Sequence, residues 1–300
     1  MQKNKTLILS EMVFEESEYS VILTSFSERP DLIEKAITAR SLAYHQAYSS
    51  GRGVFSEDRD GFDEHYQHIV VLKGDSSEVI AGFRFVLTDA VLKQQGLSGF
   101  ATYDTYHYTD AFFRYLGPSL EMGRLFVIEE YQKKGIALEL LWTGFAKYLI
   151  DNPHLHYLYG SVSFPGDFDS EAATWISSFC HSYRLDSNIS QLVSSRHSWP
   201  ISCGEEIPIS RDFRELNKTF NAHYKKQTIF PVLLRTYEMM GGAFSVFARD
   251  PDFFDSHDIF ITVPIHKIPL NFIKALLRRD EDKHYYQQKL EEIRSHAPSC

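Results

Sequence analysis

The 300-residue chain has little cysteine: Cys180, Cys203 and Cys300 are all it carries. Their separation matches no zinc-ligand spacing, and an odd count suits no disulfide framework. A reducing, cytoplasmic setting follows as the expectation. Long apolar runs are also missing. Leu7-Ile8-Leu9 gives way at once to Ser10 and Glu11, too short for a signal peptide or an anchor, and no later run approaches a membrane span. Any contact with lipid is expected to be peripheral, at the inner membrane face. An excess of basic residues is absent too. The 31 Lys and Arg stand against 40 Asp and Glu, a net charge of −9, which argues against a general nucleic-acid binder. Internal repeats and low-complexity blocks are missing as well. What the chain does have is core material, with 43% hydrophobic and 14% aromatic residues.

Periodicity and turn residues predict a strand at 21–23 and a helix over 29–48, where Leu32, Ile33, Ala36, Ile37 and Arg40 share near-helical spacing. A glycine-rich, charged loop follows over 49–64. Two strands, 69–72 and 79–87, flank a polar turn at 74–77. The aromatic stretch 103–115 shows no clear period. A strand over 120–128 precedes a strong helix over 132–150. Then come a strand over 157–164, a helix over 170–183 and a polar, irregular stretch over 186–212. A helix over 231–240 has proline at its start and Gly241 at its end. Strands over 243–248 and 259–263 pair, and a charged surface helix ends the chain. The order predicts an α/β (mixed α+β) fold whose mixed sheet has helices on both faces. One domain over 1–265, with an insertion near 186–212 and a helical extension over 266–300, is the expected organisation.

The segment from Glu121 to Trp142 carries the chemistry. Its apolar run Leu125-Phe126-Val127-Ile128 leads through Gln132-Lys133-Lys134-Gly135-Ile136-Ala137 into a helix. Unpaired backbone N–H groups and the helix dipole make such a turn a phosphate site. Gly135 lets backbone approach a phosphate closely, Ala137 permits close helix–strand contact, and Lys133 and Lys134 add charge. Gln132-x-x-Gly135-x-Ala137 resembles the acyl-donor loop of the GNAT acyltransferase superfamily.

A narrower resemblance is to the ornithine-lipid N-acyltransferase, or hemolysin-like, family, related to acyl-homoserine-lactone and N-acyl amino acid synthases. It rests on Arg40, Asp60-Gly61-Phe62-Asp63, Gly82-Phe83-Arg84, Glu121-Met122-Gly123-Arg124, Leu141-Trp142 and Gly160-Ser161-Val162-Ser163-Phe164-Pro165-Gly166. It continues in Pro231 to Tyr237, Gly241-Gly242-Ala243 and Asp250-Pro251-Asp252-Phe253, so that it covers roughly residues 35 to 265. The chain departs from the family at 128–132, where a proline and an arginine are usual, and at 184–211, where no landmark stands.

The resemblance implies a GNAT fold and transfer of a long-chain acyl group from a thioester to the amine of an amino acid, ornithine by family, in aminolipid synthesis. It implies no permanently bound cofactor and no metal. Acyl carrier protein or coenzyme A would present the acyl group as co-substrate, with a small amino acid as the other partner. Such a reaction needs a base and a polarised carbonyl. Glu121, at the start of the central strand, is the candidate base, directly or through water. Arg124 is either structural or a clamp for the acceptor's carboxylate. On a regular strand residues 121 and 124 face opposite sides, and a bulge would change that. Leu125, Phe126 and Val127 could bond a pantetheine arm by strand addition. Arg40, Asp60, Asp63 and Arg84 read either as a grip on an amino acid or as an internal ion network. Ser163 is the remaining acceptor-contacting candidate. The aromatics of 100–115 line an acyl tunnel or build core.

Other motifs carry less. His181 and Asp186 have the spacing of glycerolipid acyltransferases but no companion phosphate motif. His154/His156 and His65/His68 lack carboxylate or cysteine companions for a metal. Gly160-Ser-Val-Ser163 lacks the last glycine of a nucleophile elbow. A protein that binds a thioester without transferring it is the non-enzymatic alternative.

Overall fold

The computed structural model describes residues 7–14, 17–49, 55–74, 78–166, 168, 170–199, 212–224, 232–277 and 283–295. Its strands are β1 (Leu7–Phe14), β2 (Ser17–Ser25), β3 (Gln67–Lys73), β4 (Glu78–Leu87), β5 (Tyr106–Tyr108), β6 (Ser119–Val127), β7 (Tyr157–Phe164), β8 (Val193–Ser195), β9 (Ala243–Asp250) and β10 (Ser256–Pro264). Its helices are α1 (Pro30–Ser49), α2 (Thr88–Gln94), α3 (Asp110–Leu116), α4 (Glu129–Gln132), α5 (Ile136–Asp151), α6 (Ser170–Tyr183), α7 (Phe213–Tyr224), α8 (Val232–Met239), α9 (Leu270–Leu276) and α10 (Lys283–Ser295).

Eight strands form one sheet in the order β1-β2-β3-β4-β6-β7-β10-β9, and β5 pairs with β8 in a small second sheet. Neighbours in the large sheet are antiparallel except β6 and β7. That parallel pair is short: Ser119–Met122 lies against Tyr157–Gly160, and the recorded pairing stops there. β6 continues along β4 while β7 continues along β10, so the sheet opens a wedge at its centre. Gly160 sits where the wedge begins. A Cβ on it would stand 2.3 Å from the Met122 carbonyl oxygen, so the closest approach of the two strands requires glycine.

Alternation along the strands sorts the two faces. On one face Phe83 and Phe85 of β4 pack on Trp142 and Phe145 of α5. On the other, Val70, Leu72 and Phe126 pack with Leu32, Ala36, Ala43 and Tyr44 of α1. Pro30 opens α1 at the position where a missing N–H costs nothing. α5 is buried nearly all round, because α9 and α10 cover the flank that the sheet leaves.

Several expectations shift. The helix expected from Gln132 starts at Ile136, because Gly135 is left-handed (φ 71°) and separates it from α4. β1 is not among the expected strands: the run Leu7-Ile8-Leu9 opens a strand that continues to Phe14. The aromatic stretch folds as 3-10 turns, β5 and α3, with Phe100, Tyr106 and Phe112 buried as core. The single terminal helix is two, and Ile273 and Leu290 are buried. Within 186–212, residues 189–191 form a 3-10 turn and 193–195 form β8, while 200–211 fall outside the described residues. So do 75–77 of the polar turn and Pro231. Among the described residues no helix is long and apolar enough to cross a membrane, and no group of three or more His, Cys, Asp or Glu could hold a metal ion.

Candidate active site

The site grows from a fault in β6. Gly82 pairs with Phe126 and Arg84 with Gly123, so β6 spends one more residue than β4 between these pairs. The extra residue makes a bulge, and Arg124 takes φ 54°, a left-handed conformation that costs a non-glycine residue about 1 kcal/mol. The bulge overturns the regular-strand expectation. Glu121 and Arg124 line the same cavity, with Tyr66, Thr102, Thr105, Arg84, Ser161, Ser163, Asp250 and Asp258. They do not pair with each other.

Glu121 is buried and held by three donors. The Thr102 amide donates to Oε1 at 2.8 Å and the Thr102 hydroxyl donates to the same oxygen. The Tyr66 hydroxyl donates to Oε2 and accepts from the Ala101 amide at 3.0 Å. Burial pushes the Glu121 carboxyl up, against the pull of these donors.

Arg40, Asp60, Asp63 and Arg84 come together as an ion network. Arg40 donates to both oxygens of Asp63 at 2.8 Å and meets Asp58 at 2.7 Å. Arg84 donates to Asp63 and to Asp60 at 2.7 Å. Burial alone would raise the Asp63 carboxyl. Hydrogen bonds from Arg40 and the field of Arg84 outweigh it and hold the group well below the usual carboxylate range. Asp60 is lowered in the same way. Arg40 and Asp63 line neither cavity at the wedge, whereas Arg84 lines the first. Arg124 is held loosely, 3.4 Å from Asp58 and Asp60, over the Phe253 ring and with 25% of its side chain exposed.

A second cavity occupies the wedge itself. Tyr44, Tyr48, Phe83, Leu125, Val162, Leu233, Tyr237 and Phe253 give it largely apolar walls. It shares Met122, Gly123, Arg124, Ser161 and Ser163 with the first cavity, so the two meet at the bulge. Leu125 and Val127 line the β6 margin half-buried, while Phe126 turns to the α1 side. The Leu125 carbonyl accepts from Tyr44 at 3.0 Å, and the Ser163 carbonyl on the opposite margin accepts from Tyr48 at 3.1 Å.

At the far end of β6 stands the glycine turn. Gln132 donates to the Val127 carbonyl at 3.0 Å instead of reaching outward. Lys133 and Lys134 are exposed, and Lys134 lies over the Tyr131 ring at 4.5 Å. The first intrahelical bond runs from the Glu139 amide to the Gly135 carbonyl, so the amides of Gly135, Ile136, Ala137 and Leu138 have no intrahelical acceptor. Nothing lies within 4 Å of where a Gly135 Cβ would be. Ala137 is buried where the helix meets the sheet.

Sequence reasoning missed Asp58, Tyr66, Thr102 and Asp258. Asp258 alone left a signal: an acid beside the apolar run Ile259-Phe260-Ile261 in a strand that is otherwise core. Thr102 comes from an irregular segment and left none.

Residues 42–143 match the family model described as "Acetyltransferase (GNAT) domain". The match runs from within α1 to within α5 and includes the bulge and the Gly135 turn. The chain is 26% identical over 270 residues to a glycine N(alpha)-acyltransferase of Bacteroides thetaiotaomicron, covering 84% of this chain and 79% of that one. It is 22% identical over 268 residues to a glycine N(alpha)-acyltransferase of Phocaeicola vulgatus, covering 84% and 82%. Among solved structures, a CoA-dependent acyl-homoserine lactone synthase aligns over 86% of this chain and 87% of its own, at 11% identity and a TM-score of 0.42. The architecture is the GNAT fold, with a mainly antiparallel sheet, and the chain is an acyltransferase enzyme.

Proposed function

We propose that this enzyme transfers a long-chain acyl group from a thioester of coenzyme A or acyl carrier protein to the α-amino group of a small amino acid. Glycine is the first acceptor to test, from the names of the two relatives, and ornithine the second, from the family resemblance. The observation that carries the reading is the junction at Gly123 and Arg124. There an apolar wedge and a charged cavity share one wall.

The donor lies along the wedge. Its phosphates take the free amides around Gly135, with Lys133 and Lys134 adding charge. Its pantetheine arm follows Leu125 and Val127, and its acyl chain rests on the apolar wall of Tyr44, Leu233, Tyr237 and Phe253. The acceptor enters the charged cavity. Arg124, only loosely paired, takes its carboxylate, and Ser163 borders the reacting atoms. Glu121 supplies negative field for its ammonium from the cavity wall. The network of Arg40, Asp60, Asp63 and Arg84 ties the segment before β3 to α1 and β4 and so fixes the cavity. A product with a fatty chain gives the enzyme reason to touch a membrane surface peripherally.

The test is direct. Purified protein is given a long-chain acyl-CoA or acyl carrier protein with glycine or ornithine, and N-acyl amino acid is measured by mass spectrometry beside free thiol. One amide per thiol supports the reading. Thiol release without amide for both acceptors, or no reaction with either donor, contradicts it.

A further inference from the structure

Glu121 is the acid that sequence reasoning favours for proton transfer, yet both its oxygens are already engaged, Oε1 by the Thr102 amide and hydroxyl and Oε2 by the Tyr66 hydroxyl. A different acid stands at the junction. Asp258 on β10 lies opposite Ser163 of β7 in register, and Ser161, opposite Phe260, stands diagonally from it. Both serines line both cavities, whereas Asp258 lines only the charged one. Asp258 is buried, and the Ser256 hydroxyl, which can rotate, donates to its carboxylate at 2.7 Å, with the hydroxyl-bearing Ser161 and Ser163 across the strand pair. Ser161 in turn shares a hydrogen bond of 2.8 Å with the buried Tyr106 hydroxyl.

We propose that Asp258, set by Ser161 and Ser163 where the two cavities meet, is the group that takes the proton from the acceptor's ammonium. The inference rests on the amine-acylation reading above and names a catalytic residue for it.

The step balances without a further reactant. Asp258 takes one proton from the ammonium and frees the nitrogen lone pair. The nitrogen attacks the thioester carbonyl carbon, so that the C–N bond forms. The C–S bond then breaks and its electron pair leaves on sulfur. A second proton from nitrogen goes to the thiolate, and Asp258 gives its own proton to solvent. The Ser256 hydroxyl beside the carboxylate can turn to follow this change of charge. Burial raises the Asp258 carboxyl to about 6, opposed by the three serines and assisted by Asp250 on β9. Tyr106 of β5 and Tyr48 of α1 face the same carboxylate, and burial keeps both neutral. A base in that range is mostly charged at neutrality, ready to accept a proton, and still close enough to neutrality to release it.

The test compares native protein with Asp258→Asn, Asp258→Glu and Glu121→Gln, all checked for folding by thermal unfolding. Amide formation from a long-chain acyl-CoA or acyl carrier protein thioester and glycine or ornithine is followed from pH 5 to 9. Asp258→Asn is expected to lose about 10²- to 10⁴-fold in kcat with donor KM within about twofold, and to lose the acid limb of the profile. Asp258→Glu keeps that limb and recovers part of the rate. Glu121→Gln keeps the limb at a lower rate. Where native protein makes amide and Asp258→Asn retains both kcat within threefold and the acid limb, this assignment is overturned while the acylation reading stands. Where native protein makes no amide from either thioester donor, the acylation reading fails and this assignment with it.

Discussion

Arg84 and Asp63 meet at 2.7 Å with side chains 0% and 2% exposed, a charge pair almost wholly removed from water. Arg40 completes Asp63 from α1 and Asp60 completes Arg84, so the charges neutralise one another inside the fold. Removing one partner leaves the others buried and uncompensated. Arg84→Met is therefore expected to destabilise the protein by about 3–5 kcal/mol, read as a lower midpoint in urea. An unchanged midpoint would show that the network does not hold the fold.

His68 lies beside that network, and its Nε2–H donates to the Asp63 backbone carbonyl at 3.0 Å. Burial lowers it to about 4, from an ordinary value of about 6.5. Between these values the unfolded chain binds the proton and the folded chain does not. The stabilisation is thus complete above about pH 6.5 and is lost as pH falls towards 4. Chemical unfolding across that window should show native stability falling more steeply than that of His68→Gln. Parallel curves would contradict the assignment.

Gly160→Ala should show the cost of the strand contact at the root of the wedge. The added Cβ meets the Met122 carbonyl at 2.3 Å, and backbone on both sides cannot give way. A loss of about 1–3 kcal/mol is expected, with lowered activity. Native stability and native kinetics in this variant would place the wedge elsewhere.

Gly135→Ala separates strain from space. The position is left-handed, so alanine costs about 1 kcal/mol, while open space surrounds the Cβ. If donor phosphates fill that space, donor KM rises and acceptor KM does not. Lys133→Ala with Lys134→Ala should raise donor KM in a way that fades with added salt. Equal rises for donor and acceptor in either variant would remove the phosphates from this turn.

Legibility followed the kind of constraint. The 157–164 strand and the 170–183 helix matched to the residue, because alternation and helical spacing there are set locally and bounded by clear turns. The helix placed from Gln132 began four residues late. A left-handed glycine is a backbone state, and the residue types around it all favour helix. Arg40, Asp60, Asp63 and Arg84 were legible as a charged set, but only tertiary contacts distinguish a network from a grip. The union of Glu121 and Arg124 in one cavity depended on a bulge that alternation cannot reveal. Tyr66 and Thr102 reach Glu121 from segments far off in the chain, so nothing local marks them.

A crystal structure with a non-reactive thioether analogue of a long-chain acyl-CoA tests the central claim most directly. It should show pyrophosphate on the amides of Gly135 to Ala137, the arm between Leu125 and Ser163, and the acyl carbon beside Gly123 and Arg124. An analogue bound outside the β6–β7 wedge, with that wedge left empty, would contradict the account.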